Sequence, residues 1–264
     1  MLLILTLVSG IARTIWGPLY LSGFSLISLN IYLAVPLIVL LAWHVWRERF
    51  VLRLPQSRDR RVVLRGLALM VAGGLTLEAV RQLRLGGLAQ LPRRFTGSYE
   101  TGSYLGRFPN VSWIADRPPT VDSQTWRLLV DGEVRSLLVF SYEHLLDLAE
   151  DEMTAVLDCT GGWYSEQIWR GVRLDRLFGG NVIGKTARSL TLESLNGYNR
   201  RFAIEEAGDL MLALFVAGKP LSQGHGFPVR LVAPGYRGYD WVKWISQIRV
   251  NRSGPGWQPP VPLQ

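Results

Sequence analysis

The chain has one cysteine in 264 residues, Cys159. A single thiol excludes an internal disulfide framework and any metal site built from several cysteines. Lysine is almost as scarce, at Lys185, Lys219 and Lys243 only, so the remaining basic residues are all arginine. Histidine occurs at His44, His144 and His225 alone. Acid is rare in the first third: residues 1–94 hold twelve arginines against Glu48, Asp59 and Glu78, whereas residues 95–264 hold 17 basic and 18 acidic residues. The formal net charge of +8 therefore belongs to the N-terminal part. A nucleic-acid reader carries its basic excess on its folded domain, so nucleic-acid binding is set aside. The sequence contains no internal repeat and no low-complexity segment.

What is abundant is apolar surface, with 48% hydrophobic residues, ten tryptophans and a mean hydropathy of +0.15. Ordinary soluble domains are less apolar, and the excess predicts a membrane region over residues 1–80. Its spans are expected at about 2–20, 26–46 and 62–80, giving two or three transmembrane helices in contact with membrane lipid. Between the second and third runs lie Arg47, Arg49, Arg53, Arg58, Arg60 and Arg61. By the positive-inside rule this loop is cytoplasmic, which places the C-terminal domain of a multi-pass cell-membrane protein on the periplasmic or extracellular side. The stretch Asp59-Arg60-Arg61-Val62-Val63-Leu64-Arg65, running into a glycine-rich apolar segment, resembles a twin-arginine export signal. It reads equally as topology-setting arginines beside a helix. His44, near the cytoplasmic end of the second run, is either an axial ligand of haem b or an interfacial histidine. The haem reading needs a second axial ligand from outside this stretch, because the membrane region holds no other histidine.

Residues 81–122 read as a linker and lead-in segment, punctuated by Gly86-Gly87, Pro92, Gly97, Gly102, Gly106, Pro109 and Pro118-Pro119 and expected to wrap the following domain. That domain, residues 95–264, alternates short strands and short helices. Trp126–Val130 and Val134–Phe140 are predicted as a hairpin about an Asp131-Gly132 turn. Ser141 is the expected N-cap of a helix through Glu150. Further strands are expected at Thr154–Leu157, Ser189–Leu192, Met211–Val216, Val229–Val232 and Ile245–Val250, with a helix at Leu174–Phe178. Strands outnumber helices, so the fold class is α+β with mixed sheets.

Cys159 ends an apolar strand and opens the turn Cys159-Thr160-Gly161-Gly162-Trp163. Small residues there let a bulky group approach the backbone, and a thiolate is a soft ligand for one metal bond. A buried core thiol is the alternative reading of the same residue. Trp169-Arg170-Gly171-Val172 follows, and a long block begins at His225-Gly226-Phe227-Pro228-Val229-Arg230 and ends at Trp241-Val242-Lys243-Trp244.

These two blocks, in this order, resemble the sulfite oxidase-type molybdopterin-dependent oxidoreductases over roughly Ser98 to Val250. The resemblance implies the sulfite oxidase-like molybdopterin-binding fold and a molybdenum-molybdopterin cofactor. It makes Cys159 the metal ligand and gives His225 and Arg230 the pterin and its phosphate. Trp241, Val242 and Lys243 would bind the phosphate end through amides and the lysine charge. Ser194 and Ser112 fall where the family places further pterin contacts. Trp163 and Tyr164, with Trp169, are expected as walls near the metal.

Sulfite oxidases carry arginines just after the cysteine, where this chain has Trp163, Tyr164 and Ser165. An anionic substrate loses charge partners there, and Arg200-Arg201, after Tyr198, are the expected replacements facing the site. The implied activity is oxygen-atom transfer, of the sulfoxide or N-oxide reductase type, on a small-molecule or protein sulfoxide. Sulfite oxidation is the alternative within the family. The implied partner is an electron carrier such as a quinone, a cytochrome or a membrane haem subunit. A membrane-anchored binding domain of the same fold that has lost its cofactor is the reading from a different class.

Overall fold

The computed structural model describes residues 2–16, 20–21, 24–47, 60–83, 93–111 and 119–259. The chain divides into two compact units, Met1–Arg93 and Arg94–Gln264.

In the first unit, α1 (Leu2–Trp16) is followed by a short antiparallel pair, β1 (Tyr20–Leu21) and β2 (Phe24–Ser25). Then come α2 (Leu26–Arg47) and α3 (Arg60–Leu83). α1 stops just ahead of Gly17-Pro18, where proline lacks the N–H that a helix needs. Its 15 residues rise about 22 Å, short of the ~30 Å hydrocarbon layer. α3 is long, but its apolar stretch among the described residues is Leu64–Thr76, shorter than a span needs. Only α2, over Leu29–Arg47, is long and apolar enough to cross a bilayer among the described residues. Among the described residues, the expected two or three spans are thus reduced to one helix that is both long and apolar enough. α1 packs on α2, and Ser9 Oγ, buried there, bonds the Thr6 carbonyl (3.0 Å) and lies 3.4 Å from Asn30 Oδ1.

The second unit is α+β with mixed sheets. Its elements are β3 (Tyr99–Glu100), β4 (Arg127–Gly132), β5 (Leu138–Ser141), α4 (Tyr142–Leu148), β6 (Asp151–Cys159), β7 (Trp163–Arg173), α5 (Leu174–Val182), β8 (Ser189–Ser194), β9 (Asn199–Ala203), β10 (Met211–Val216), β11 (Lys219–Pro220), β12 (Arg230–Val232) and β13 (Ile245–Asn251). One sheet runs β11-β10-β7-β3, with β12 paired to β10 and β6 paired to β7. The other runs β5-β4-β13-β8-β9. The β3–β7 and β4–β13 pairs are parallel and the rest antiparallel. The core is apolar residues of both sheets, among them Leu128, Val130, Leu190, Leu192, Leu212, Leu214, Leu231 and Ile248, all excluded from solvent.

Local chemistry explains several elements. Ser141 caps α4, its side chain accepting from the His144 amide at 3.1 Å. His144 itself is exposed. Gly171 is where β7 and β10 meet: a Cβ there would lie 1.9 Å from the Leu212 carbonyl, so only glycine permits the approach.

Three expectations need correction. Asp131-Gly132 do not form the hairpin turn; they stay in β4 and pair with Arg249 and Val250 of β13, while residues 133–137 make the connection. The expected strand Thr154–Leu157 extends to the full β6. Four strands of this unit, β3, β7, β9 and β11, have no counterpart among the expected strands. β7 hides Ser165 and Gln167 among its inward positions, which breaks the apolar alternation. Those polar groups hold the segment before it: Gln167 donates to the Gly102 carbonyl (2.7 Å) and accepts from the Gly106 amide (3.0 Å). The Tyr99, Thr101 and Tyr104 amides bond carbonyls of Gly162, Tyr164 and Glu166, so residues 99–104 run along β7.

Candidate active site

β6 and β7 form a tight hairpin whose tip carries Cys159 and Trp163 as facing partners. Residues opposed across antiparallel strands share a face, so both side chains lie on one side. The Gly161 amide donates to Cys159 Sγ at 3.3 Å. Burial pushes the thiol pKa up, while that hydrogen bond, Lys243 and Arg237 pull against it. The indole Nε1 of buried Trp163 has no hydrogen-bond partner. Tyr164, the next residue, falls on the other face of β7 by strand alternation, opposite Asp158. Its ring lies 5.5 Å beneath the Arg94 guanidinium, away from the sulfur's face, so it is not the wall residue expected beside Cys159.

The cationic residues converge from the C-terminal block. Arg230, at the start of β12, is 1% exposed, with its guanidinium carbon 5.1 Å from the Trp169 ring and 5.7 Å from the Trp241 ring. Its Nη1 donates to the His225 carbonyl at 3.1 Å, and its Nε has no hydrogen-bond partner. Among the described residues no carboxylate pairs with it. Burial lowers its pKa to about 10, and the Cys159 sulfur partly opposes that shift. His225 closes a short 3-10 turn, Gln223–His225. Its Nε2 lies 3.0 Å from the Phe108 carbonyl, which can only accept, so Nε2 carries the proton. Nδ1 then accepts from the Ser222 hydroxyl at 2.8 Å. Burial drives its pKa down to about 4, helped by Arg230 and Lys243 and opposed by the Phe108 contact, so the ring is neutral. Lys243 Nζ donates to Asn110 Oδ1 (2.9 Å) and to the Gly224 (3.0 Å) and Val111 (3.4 Å) carbonyls.

Other expected residues sort less evenly. Ser194 ends β8, buried, its Oγ unpartnered, opposite Ile245 of β13 and one residue from the Leu195 amide that bonds the Trp244 carbonyl. Ser112 lies outside the described residues. The Trp241 and Val242 amides bond the Gly238 and Asp240 carbonyls within their own loop, so they are engaged rather than offered to a phosphate. Arg200 is turned into a separate buried group: its Nε donates to Tyr198 Oη (2.7 Å) and faces Asp240 Oδ1 (3.4 Å). Burial lifts the Asp240 pKa to about 6 against the pull of Arg200. Arg201 bonds Thr191 and the Ser253–Gly254 stretch on the second sheet.

Sequence reasoning missed Phe108, whose ring sits 5.8 Å from both Trp163 and Trp169 and 4.3 Å from His225. It also missed Asn110, the partner of Lys243. Both stand in the 93–111 segment, far in sequence from their contacts at Trp163, Trp169, His225 and Lys243.

Among the described residues no three His, Cys, Asp or Glu side chains gather to hold a bare metal ion. A metal bound through Cys159 must bring its other ligands with it, as part of a larger group. The orphaned polar atoms fit such a group: a buried guanidinium without a counter-ion, an unpaired indole N–H beside the thiol, and an unpaired serine hydroxyl. The sequence pattern described as "Oxidoreductase molybdopterin binding domain" matches residues 115–255. The chain belongs to this family. It carries an oxidoreductase molybdopterin-binding domain. The molybdopterin-binding domain is 32% identical over 166 residues to a nitrate reductase [NAD(P)H] of Hordeum vulgare, covering 50% of this chain and 19% of that protein. It is 30% identical over 168 residues to the inducible nitrate reductase [NADH] 2 of Glycine max, again covering 50% and 19%. The chain thus spans about a fifth of the length of these relatives. The sulfane dehydrogenase SoxCD from Paracoccus pantotrophus aligns at a TM-score of 0.49 and 29% identity, covering 52% of this chain and 40% of that one.

Proposed function

We propose that this chain is a membrane-anchored, extracytoplasmic molybdenum-cofactor oxidoreductase that transfers an oxygen atom, acting as a reductase of sulfoxides or N-oxides. The observation that carries the cofactor placement is the buried, acid-free Arg230, set between two tryptophan rings and sharing the Cys159 neighbourhood with Lys243. Cys159 would ligate the metal; Arg230, Lys243 and Ser194 would hold the pterin and its phosphate. When bound, the cofactor supplies two-electron oxygen-atom chemistry. The chain's own part is to fix the sulfur at the hairpin tip, neutralise the phosphate, and wall the site with Trp163, Trp169 and Phe108. His225, neutral and held at both ring nitrogens, keeps Phe108 against the tryptophans.

The substrate class rests on charge. Trp163, Tyr164 and Ser165 follow the cysteine, so the residues nearest it in sequence offer no positive charge to an oxyanion. A second reading, sulfite oxidation, rests on Arg237, whose charge is felt at the Cys159 thiol. Membrane anchoring rests on α2, and the extracytoplasmic side on the arginines between α2 and α3 together with a return crossing by the 24-residue α3. Electrons would pass to or from a quinone, a cytochrome or a membrane haem subunit; His44, exposed on α2, is the haem candidate on this side.

Detergent-purified protein from a cofactor-competent host should contain stoichiometric molybdenum and pterin. Cys159→Ser should abolish turnover with an unchanged circular dichroism spectrum. A screen of sulfoxides, N-oxides and sulfite assigns the substrate: turnover of sulfite alone moves the chain to the second reading, and absence of molybdenum overturns both.

A further inference from the structure

Asp158 takes no part in the chemistry described so far, yet it is 4% exposed and saturated with donors. Oδ1 accepts from Ser98 Oγ at 2.6 Å. Oδ2 accepts from Thr96 Oγ1 at 2.8 Å and faces Arg237 Nη1 at 3.1 Å and Arg94 Nε at 3.3 Å. Those partners belong to two separate pieces of chain. Residues 94–98 form a turn closed by Arg94 N–H to the Ser98 carbonyl and Gly97 N–H to the Arg94 carbonyl. Arg237 leads the loop that carries Gly238–Asp240, and it bridges Asp158 as an isolated parallel β-bridge. Gly238 presses directly on the cysteine: a Cβ there would stand 3.0 Å from Cys159 Cα and 3.1 Å from the Asp158 carbonyl.

By strand alternation Asp158 and Cys159 point to opposite faces of β6. The carboxylate therefore braces the backbone of Cys159 from behind, while the sulfur faces Trp163. We propose that Asp158 is a positioning residue for Cys159: its charge clamps the 94–98 turn and the Arg237–Gly238 loop onto the end of β6 and so fixes where the sulfur stands. The proposal rests on Cys159 being the metal ligand. Asparagine in its place keeps the shape and one hydroxyl bond but cannot hold two guanidinium groups. A ligand whose backbone is free to shift gives a distribution of metal–sulfur orientations in place of one.

The test compares full-length loaded protein with Asp158→Asn, Arg237→Gln and Ser98→Ala variants. Each is followed by metal content, thiolate-to-molybdenum absorption, the Mo(V) electron paramagnetic resonance spectrum and amide hydrogen exchange. In Asp158→Asn the metal should be retained while the resonance lines shift or broaden. The Tyr99, Gly161 and Gly162 amides should exchange about tenfold faster or more. Ser98→Ala, which removes one hydrogen bond, should move the same readouts by less; it and Arg237→Gln carry the test if Asp158→Asn does not fold. A lowered melting temperature with a resonance spectrum and absorption band superimposable on wild type would make Asp158 a purely structural anchor and overturn the proposal. Loaded Cys159→Ser checks the underlying assignment separately: persistence of the thiolate band there removes Cys159 as ligand, and the positioning role with it.

Discussion

Arg230 and His225 are joined through the backbone: the arginine's Nη1 donates to the carbonyl of the histidine, 3.1 Å away. The histidine ring points the other way, to the Phe108 carbonyl and the Ser222 hydroxyl. One turn thus anchors the guanidinium on one side and the aromatic wall on the other. The guanidinium Nε is left without a partner, while the neutral ring is held at both nitrogens.

A buried guanidinium facing no acid is costly without its ligand. Arg230→Met keeps the volume and the tryptophan contacts but removes the charge. Cofactor-free Arg230→Met protein is expected to be more stable than cofactor-free wild type, by about 1–2 kcal/mol. Its molybdenum content after expression in a competent host should fall roughly tenfold or more. Thermal melting and metal analysis read the two effects. A variant that melts lower and loads normally would show that Arg230 serves the fold alone.

His225 gives the apo protein a pH dependence with a definite sign. Its folded pKa, about 4, lies below the ordinary histidine value of 6.5. Between those values the unfolded chain binds the proton and the folded one does not, so stability is full above about pH 6.5 and is lost as the pH falls toward 4. Asp240 tilts the other way: its carboxyl, raised to about 6, contributes stability at low pH that is lost as the pH rises through 6. His225→Gln removes the first slope and leaves the second. The difference in melting temperature between wild type and His225→Gln should therefore change steadily from pH 6.5 to 4 and stay flat from 7 to 8. A constant difference over the whole range would place the histidine in a solvated setting.

These residues show what could be read in the sequence. Met211–Val216 is an unbroken apolar run and is β10; Ser141 has cap chemistry and caps α4. Cys159, His225, Arg230 and Lys243 stand out through the spacing of two blocks, and the fold brings them together. β7 is obscured because Ser165 and Gln167 face inward, and the Gly102 and Gly106 partners of Gln167 lie more than sixty residues away. Tyr164 carries the same aromatic signal as Trp163, but alternation sends it to the other face. Phe108, Asn110, Arg94 and Arg237 have no local pattern at all; they reach the site only through tertiary folding.

Gly171 tests how closely the two central strands depend on each other. A methyl group there meets the Leu212 carbonyl at 1.9 Å and Ala213 Cα at 2.8 Å, both main-chain atoms that can move only by separating β7 from β10. Gly171→Ala is expected to cost roughly 3–5 kcal/mol, in the range of severe overpacking. Gly254→Ala, with open space around it, should stay within about 0.5 kcal/mol of wild type. Urea midpoints at constant m-value give both numbers. A mild effect at Gly171 would mean that the pairing of Leu212 with Val172 is looser than its register implies.

The single native cysteine makes the membrane orientation directly measurable. In a Cys159→Ser background, Ser57→Cys introduces one thiol in the arginine-rich stretch between α2 and α3, and Gly254→Cys introduces one on the exposed segment after β13. The positive-inside rule puts the first in the cytoplasm, and a return crossing by α3 would put the second outside. A membrane-impermeant maleimide applied to intact spheroplasts should label Gly254→Cys and leave Ser57→Cys unlabelled until lysis. The domain would then load its cofactor before or during export, which fits an export route that accepts folded proteins. Labelling in the reverse order would put the catalytic unit in the cytoplasm and remove Arg60-Arg61 from any role in export. Labelling of both sites only after lysis, with the protein released by carbonate, would leave α2 without a membrane to cross.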